Sequence, residues 1–191
     1  MKYPGGIKLN TTKIIHYDNR GMNLEEDINI TNKYYEENNI AFIYKKPTPI
    51  QVTKVDYSKN NVIIKEAYFK EPSTTDYNGL YNGKYIDFEA KETDSKTSFP
   101  LKNIHKHQIN HIKNITENNG IGFLIVRFTK LNKTYLLLGT DLINFINNND
   151  RKSIPIMFFE ESAYLIEEKY MPRIDYLKIV DSIFGGIKNG K

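Results

Sequence analysis

The chain contains no cysteine among its 191 residues, which excludes disulfides and thiolate zinc sites and leaves any metal to Asp, Glu, His and backbone oxygens. It also lacks a long apolar run. The longest, Ile121 to Phe128, is broken by Gly122 and Arg127 and falls far short of the ~20 residues a membrane-spanning helix needs. The opening residues, M-K-Y-P-G-G-I-K-L-N, hold no apolar segment of the kind a signal peptide requires, so no membrane association is expected and the cytoplasm is the expected compartment. No internal repeat is present. Excess charge is scarce as well: 27 Lys+Arg against 23 Asp+Glu leave +4, which is mild for a nucleic-acid binder and by itself decides nothing.

What is present describes one globular domain with a proper core. The hydrophobic fraction is 39%, and 14 Tyr with 10 Phe provide aromatic surface for packing or for stacking on bases. Lysines cluster in two places, Lys45 to Lys70 and Lys96 to Lys113, although for any single one of them an ordinary solvated residue is the commoner reading.

Residues 1 to 18 are polar and punctuated by Gly and Pro, which suggests a flexible arm ahead of a domain spanning 19–191. Asn23 followed by Glu26 fits a capping pair at the start of a helix of about fifteen residues, with Leu24, Ile28 and Tyr35 on one face and Glu25 beside it. Ile40 to Tyr44 reads as a short buried strand, ended by the prolines of Lys45-Lys46-Pro47-Thr48-Pro49. The runs Ile50 to Tyr57 and Val62 to Phe69 form a hairpin. Tyr77-Asn78-Gly79 and Asn82-Gly83 read as turns before a strand that ends at Lys91. A helix from about Asn103 to Asn118 carries Ile104, Gln108, Ile112 and Ile115 on one face. Beyond it come a second hairpin (Ile121 to Phe128, Lys133 to Leu138), a helix capped by Thr140, an extended piece from Ile154 to Phe159, and a last helix from Ile174 to Phe184. This order gives an α/β domain with a mixed central sheet flanked by helices.

The chemistry concentrates between Thr74 and Lys91. Alternation puts Ile86, Phe88 and Ala90 on one face of a strand and Tyr85, Asp87, Glu89 and Lys91 on the other. Residues two apart lie about 6.6 Å apart along a strand, so a metal on Glu89 and an ammonium from Lys91 can act on one phosphate, with Asp76 as the second carboxylate. A hard divalent cation such as Mg²⁺ suits such oxygen ligands. As a bare pattern, Asp-x₁₂-Glu-x-Lys is weak, and a solvated strand face is the commoner outcome of that spacing. Gln108, on an apolar helical stripe, needs a partner, and capping or core satisfaction accounts for it as well as ligation does. His107 and His111 have a zinc-compatible spacing but no completing Glu or Cys, so a solvated or phosphate-facing pair is the better reading.

Longer blocks add to this. Asn19-Arg20-Gly21-Met22-x-Leu24-Glu25, Lys45-Lys46-Pro47-Thr48-Pro49-Ile50-Gln51, Ile64-Lys65-Glu66-Ala67-Tyr68-Phe69, Ser73-Thr74-Thr75-Asp76-Tyr77-Asn78-Gly79, Tyr85-Ile86-Asp87-Phe88-Glu89-Ala90-Lys91-Glu92-Thr93 and Thr97-Ser98-Phe99-Pro100-Leu101 stand in this order. With Pro172-Arg173-Ile174-Asp175-Tyr176 near the end, the chain resembles the RecU family of Holliday junction resolvases over nearly its whole length.

That resemblance implies a restriction-endonuclease-like (PD-(D/E)xK type) core, a homodimer, and Mg²⁺-dependent cleavage of four-way DNA junctions in recombination and repair, with Mn²⁺ as a possible substitute. It implies Asp76 and Glu89 as metal carboxylates, Thr74 and Gln108 as further metal-site positions, and Lys91 as the stabiliser of the transition state. It further implies a stalk from about residue 49 to 72, with Tyr68 and Phe69 as stacking residues and Arg20, Lys45 and Lys46 as contacts to DNA. The family pattern has Pro-Lys-Arg in the stalk turn. This chain reads Ser58-Lys59-Asn60-Asn61 and is one residue shorter, which leaves an arginine-dependent contact of the stalk with a partner recombinase without its residue. Two other functions use the same features: a sequence-specific restriction-type endonuclease, and a non-catalytic junction-binding modulator of a recombinase.

Overall fold

The structure, a computed structural model, describes residues 23–57, 61–70 and 73–185. The expected N-terminal arm, Arg20 and most of the stalk turn lie outside the described residues.

Helix α1 (Leu24–Glu37) begins as its sequence dictates: Asn23 accepts from the Glu26 amide at 2.8 Å while Glu26 reaches back to the Asn23 amide, a reciprocal capping box. Its buried stripe, Leu24, Ile28 and Tyr35, packs on a six-stranded sheet ordered β1-β4-β5-β7-β8-β10. These strands are β1 (Phe42–Lys45), β4 (Tyr77–Tyr81), β5 (Lys84–Thr93), β7 (Ile121–Phe128), β8 (Lys133–Leu138) and β10 (Tyr164–Ile166). The sheet is mixed. β5 and β7 run parallel, and the crossover between them contains helix α2 (Lys106–Glu117); the other neighbours are antiparallel. β7 is buried at every position, because helices cover both faces of the sheet. On one face, α1 and α5 (Tyr176–Phe184) pack against Ile86, Phe88, Phe123 and Ile125. On the other, α2, α3 (Gly139–Asn148) and α4 (Ile156–Ser162) pack against Leu124, Val126, Phe128 and Leu137. The expected helix-flanked mixed sheet is therefore what forms.

The hairpin expected as a stalk is a separate two-stranded sheet, β2 (Ile50–Asp56) with β3 (Ile63–Phe69), and every residue of β3 is exposed. The remaining short strands, β6 (Ser98–Pro100) and β9 (Ser153–Pro155), pair with one another.

Five expectations need correcting. β1 is an edge strand with only Ile43 buried, because β4 pairs with one side of it and nothing described pairs with the other. Asn78-Gly79 is not a turn but part of β4, and the glycine is required by proximity: a Cβ there would stand 2.1 Å from Phe42 O. The turn is Asn82-Gly83 alone, where both residues have positive φ (47° and 75°), the pairing that suits a tight hairpin. Ile154 to Phe159 is only briefly extended before it turns into α4, and α3 begins at Gly139, so Thr140 lies inside that helix rather than capping it. Finally, α5 begins at Tyr176 and α2 at Lys106, each shorter than its sequence signal.

Candidate active site

The site is built on the polar face of β5. Its apolar face is locked first: the Phe88 ring stacks between Tyr77 and Phe123, at 4.9 and 4.7 Å between centroids. With that register fixed, Asp87, Glu89 and Lys91 must face the opposite layer, level with Gly122, Leu124 and Val126 of the neighbouring parallel strand. There Asp87 and Glu89 are completely buried, so a solvated strand face, which the spacing alone left open, is excluded.

Asp76 immediately precedes β4, and the pairing of Tyr77 with Phe88 brings it opposite Glu89. Its backbone amide donates to Glu89 Oε2 at 3.2 Å. Lys91 Nζ lies 2.7 Å from Glu89 Oε1 as an ion pair. Oε1 is otherwise buried, with that ammonium as its partner among the described residues. Burial, and secondly the neighbouring Asp76 carboxyl, push the Glu89 carboxyl up to about 8 against the opposing pull of Lys91. Asp76, Glu89 and Lys91 therefore come together.

The other expected residues fall out unevenly. Gln108 is buried, and its Oε1 accepts from the His105 amide at 3.0 Å, closing the first turn of α2 as a cap. Thr74 donates to its neighbour's carbonyl (Thr75 O, 3.2 Å) beside a cleft lined by Lys45, Lys46, Pro47, Pro49 and Asp76. Lys45 pairs with Glu25 at 2.5 Å. Lys46 turns inward, its Nζ 2.7 Å from Asp87 Oδ2, so it is not the free phosphate-binding lysine its position in the loop suggests. Tyr68 and Phe69 are exposed, but as successive strand residues they project to opposite faces of the hairpin. Of the histidines, His105 and His107 stack on each other, whereas His111 is bonded to Asp87 at 3.1 Å and is no solvated partner of His107.

Several residues of the site were assigned no chemistry from sequence. Glu25, in the first turn of α1, lines a cleft of about 280 Å³ together with Asp76, Tyr77, Lys91 and Glu92. α1 is seated there because Glu92 Oε1, at the end of β5, accepts from the Leu24 amide at 3.0 Å. Burial and then the charges of Glu25, Asp76 and Glu89 push the Tyr77 phenol upward. Asp87 was visible in the alternation, but nothing in the sequence shows what lies across from it.

Among the described residues no three His, Cys, Asp or Glu side chains converge into a cation site. Asp76 and Glu89 are the carboxylates that the site brings together. All-oxygen donors, and a Glu89 carboxyl whose burial beside Asp76 opposes its ionisation despite Lys91, together fit a hard divalent cation.

The model of the family described as "Recombination protein U" (RecU) matches residues 19–182. A protein named Holliday junction resolvase RecU from Geobacillus sp. (strain WCH70) is 52% identical over 96% of this chain and 98% of that one. Its namesakes from Geobacillus thermodenitrificans (strain NG80-2) and Bacillus mycoides (strain KBAB4) are 50% and 49% identical over the same shares. Among solved structures, the Holliday junction resolvase Hjc of Archaeoglobus fulgidus overlays with a TM-score of 0.41 and 7% identity, over 72% of this chain and 89% of that one, a likeness too distant to carry a conclusion.

Proposed function

Since the chain belongs to the RecU family, we propose that it is a structure-selective endonuclease that resolves four-way DNA junctions during recombination and repair. The observation that carries the reading is the meeting of Asp76, Lys91 and the fully buried Glu89 at one end of β5.

In this reading residues 19–191 act as one nuclease domain with its hairpin as the stalk. Asp76 and Glu89 would hold Mg²⁺, or Mn²⁺ in its place, and the Thr74 hydroxyl and the Gln108 amide oxygen would serve as neutral ligands. The bound cation supplies charge relief on the phosphate and a more acidic water. Lys91 orients the attacking water and balances the negative charge that grows on the phosphoryl oxygens as the new P–O bond forms. The bond to the 3′-oxygen breaks as the attacking water gives up a proton to solvent and the departing 3′-oxygen takes one from solvent, leaving a 5′-phosphate and a 3′-hydroxyl. Lys45 and the Arg20 segment track the backbone, and the exposed aromatics of the hairpin stack on unpaired bases near the junction centre. A homodimer provides two such sites related by a two-fold axis, which matches the symmetric cuts a junction needs. None of the described helices is long and apolar enough to cross a membrane, and in this reading the enzyme would act on DNA in the cytoplasm.

The test compares labelled four-way junction with linear duplex, in Mg²⁺ or EDTA, for wild type and Asp76→Asn. Junction cleavage by the wild type in Mg²⁺ alone is expected. Cleavage of duplex in preference to junction would favour the restriction-type reading, and tight binding with no cleavage would favour a non-catalytic modulator.

A further inference from the structure

The geometry points to Asp87 as a positioning residue of the catalytic centre: it ties together the three segments that carry the cation-binding oxygens. The inference rests on the reading of Asp76, Glu89, Thr74 and Gln108 given above.

Asp87 has no solvent exposure, and donors from four elements close on it. Thr75 Oγ1 bonds Oδ1, while Oδ2 receives Lys46 Nζ (2.7 Å), Tyr85 OH (2.9 Å) and His111 Nε2 (3.1 Å). Two of these donors, and Asp87 itself, sit close in sequence to a proposed ligand. Thr75 stands between Thr74 and Asp76. His111 lies on α2 one turn beyond Gln108. Asp87 itself precedes Glu89 by two residues on the same face of β5. Lys46 grips the first of these segments twice, by its side chain on Thr75 Oγ1 (3.1 Å) and by its backbone amide on Asp76 O (2.7 Å). A loop, a helix and a strand that have no covalent reason to hold one register thus share a single carboxylate. Groups that bind a cation must be fixed to well under an ångström, and outer partners commonly supply that fixity. A purely structural buried ion pair would occupy the same position but predicts a different outcome: loss of stability with unchanged cation affinity.

The experiment uses the full chain with Mn²⁺ as the probe, its free concentration read by electron paramagnetic resonance without DNA, so that no turnover is involved. The variants are Asp87→Asn, Thr75→Val and His111→Asn. Asp87→Asn is expected to weaken Mn²⁺ binding about tenfold or more and to raise the Mg²⁺ midpoint for junction cleavage by a similar factor, while junction binding in EDTA stays within about twofold. Thr75→Val and His111→Asn each remove one donor and keep the carboxylate, so they fold even where Asp87→Asn does not, and each is expected to weaken Mn²⁺ about threefold. Mn²⁺ affinities equal to wild type in these two variants would overturn the inference, whatever their melting temperatures. A wild type that binds Mn²⁺ yet never cleaves junctions would instead sink the proposed function, and the Mn²⁺ comparison among variants would still decide the role of Asp87.

Discussion

Asp87 and Glu89 stand two residues apart on one face of β5, both fully buried, and they meet opposite surroundings. Asp87 accepts from a threonine, a lysine, a tyrosine and a histidine. Glu89 has only one backbone amide on Oε2 and the Lys91 ammonium on Oε1 among the described residues. The desolvation cost of a buried carboxylate is offset at Asp87 by its donors; at Glu89 it is not, and the raised carboxyl shows the deficit. A strand can therefore present the same chemical group twice, once as an anchor and once as a reactive site, and the difference lies in which elements pack across from it.

The largest effects should come from the under-bonded side. Asp76→Asn, Glu89→Gln and Lys91→Ala are each expected to lower junction cleavage about 10³-fold or more while leaving junction affinity in EDTA within about threefold. Gel-shift and single-turnover cleavage assays on the same preparations check this. Normal turnover in Lys91→Ala would remove that residue from the mechanism.

On the anchored side the expected loss is in stability. Asp87→Ala leaves the mostly buried Lys46 ammonium with only Thr75, and breaking such a pair costs about 3–5 kcal/mol, read by denaturant unfolding without metal. Glu89→Gln, by contrast, should match or exceed wild-type stability at pH 8. An equal loss in both variants would erase the distinction between anchor and site.

The raised carboxyl of Glu89 sharpens the comparison through pH. Below its ordinary value of 4.5 the group is protonated in both folded and unfolded chains and costs nothing. Between 4.5 and about 8 the unfolded chain ionises while the folded one keeps its proton, so metal-free stability should fall through that window, by on the order of a few kcal/mol in all, and level off above it. Glu89→Gln should abolish that part of the slope. Because cation and proton compete for the same carboxylate, Mg²⁺ affinity should climb by up to about tenfold per pH unit below 8 and flatten beyond it.

Much of this architecture could be read in the chain. The Asn23 and Glu26 pair, the two hairpins and the alternation along β5 are local signals, and each produced the element it announced. What could not be read depends on partners distant in sequence. Asn78-Gly79 has the chemistry of a turn, and only the approach of β1 makes it a strand. Lys46 looks like a phosphate-binding lysine until Asp87, 41 residues later, takes its charge. Gln108 was balanced between cap and ligand, and the structure shows it capping α2 through the His105 amide. Alternation located the face that Asp87 shares with Glu89, but which of the two would be saturated depends on α2 and the Thr75 segment, neither of which the strand encodes.

The smallest predicted effect tests how finely the saturation of Asp87 is set. Tyr85 supplies one of three donors to Oδ2, and its own hydroxyl accepts from Asn78 Nδ2 at 2.9 Å. Burial raises the phenol above its ordinary value, so it stays protonated and donating through the neutral range. Tyr85→Phe removes this donor and keeps the ring, while Lys46 and His111 remain on the same oxygen. The loss should be near that of one ordinary hydrogen bond, about 0.5–1.5 kcal/mol by denaturant unfolding, with Mn²⁺ affinity changed by less than about twofold. Tyr85, unlike Thr75 and His111, lies on the same strand as Asp87 and ties no ligand-bearing segment to it. A Mn²⁺ effect as large as that of Thr75→Val would mean that filling the carboxylate, and not bridging the segments, is what holds the site in place.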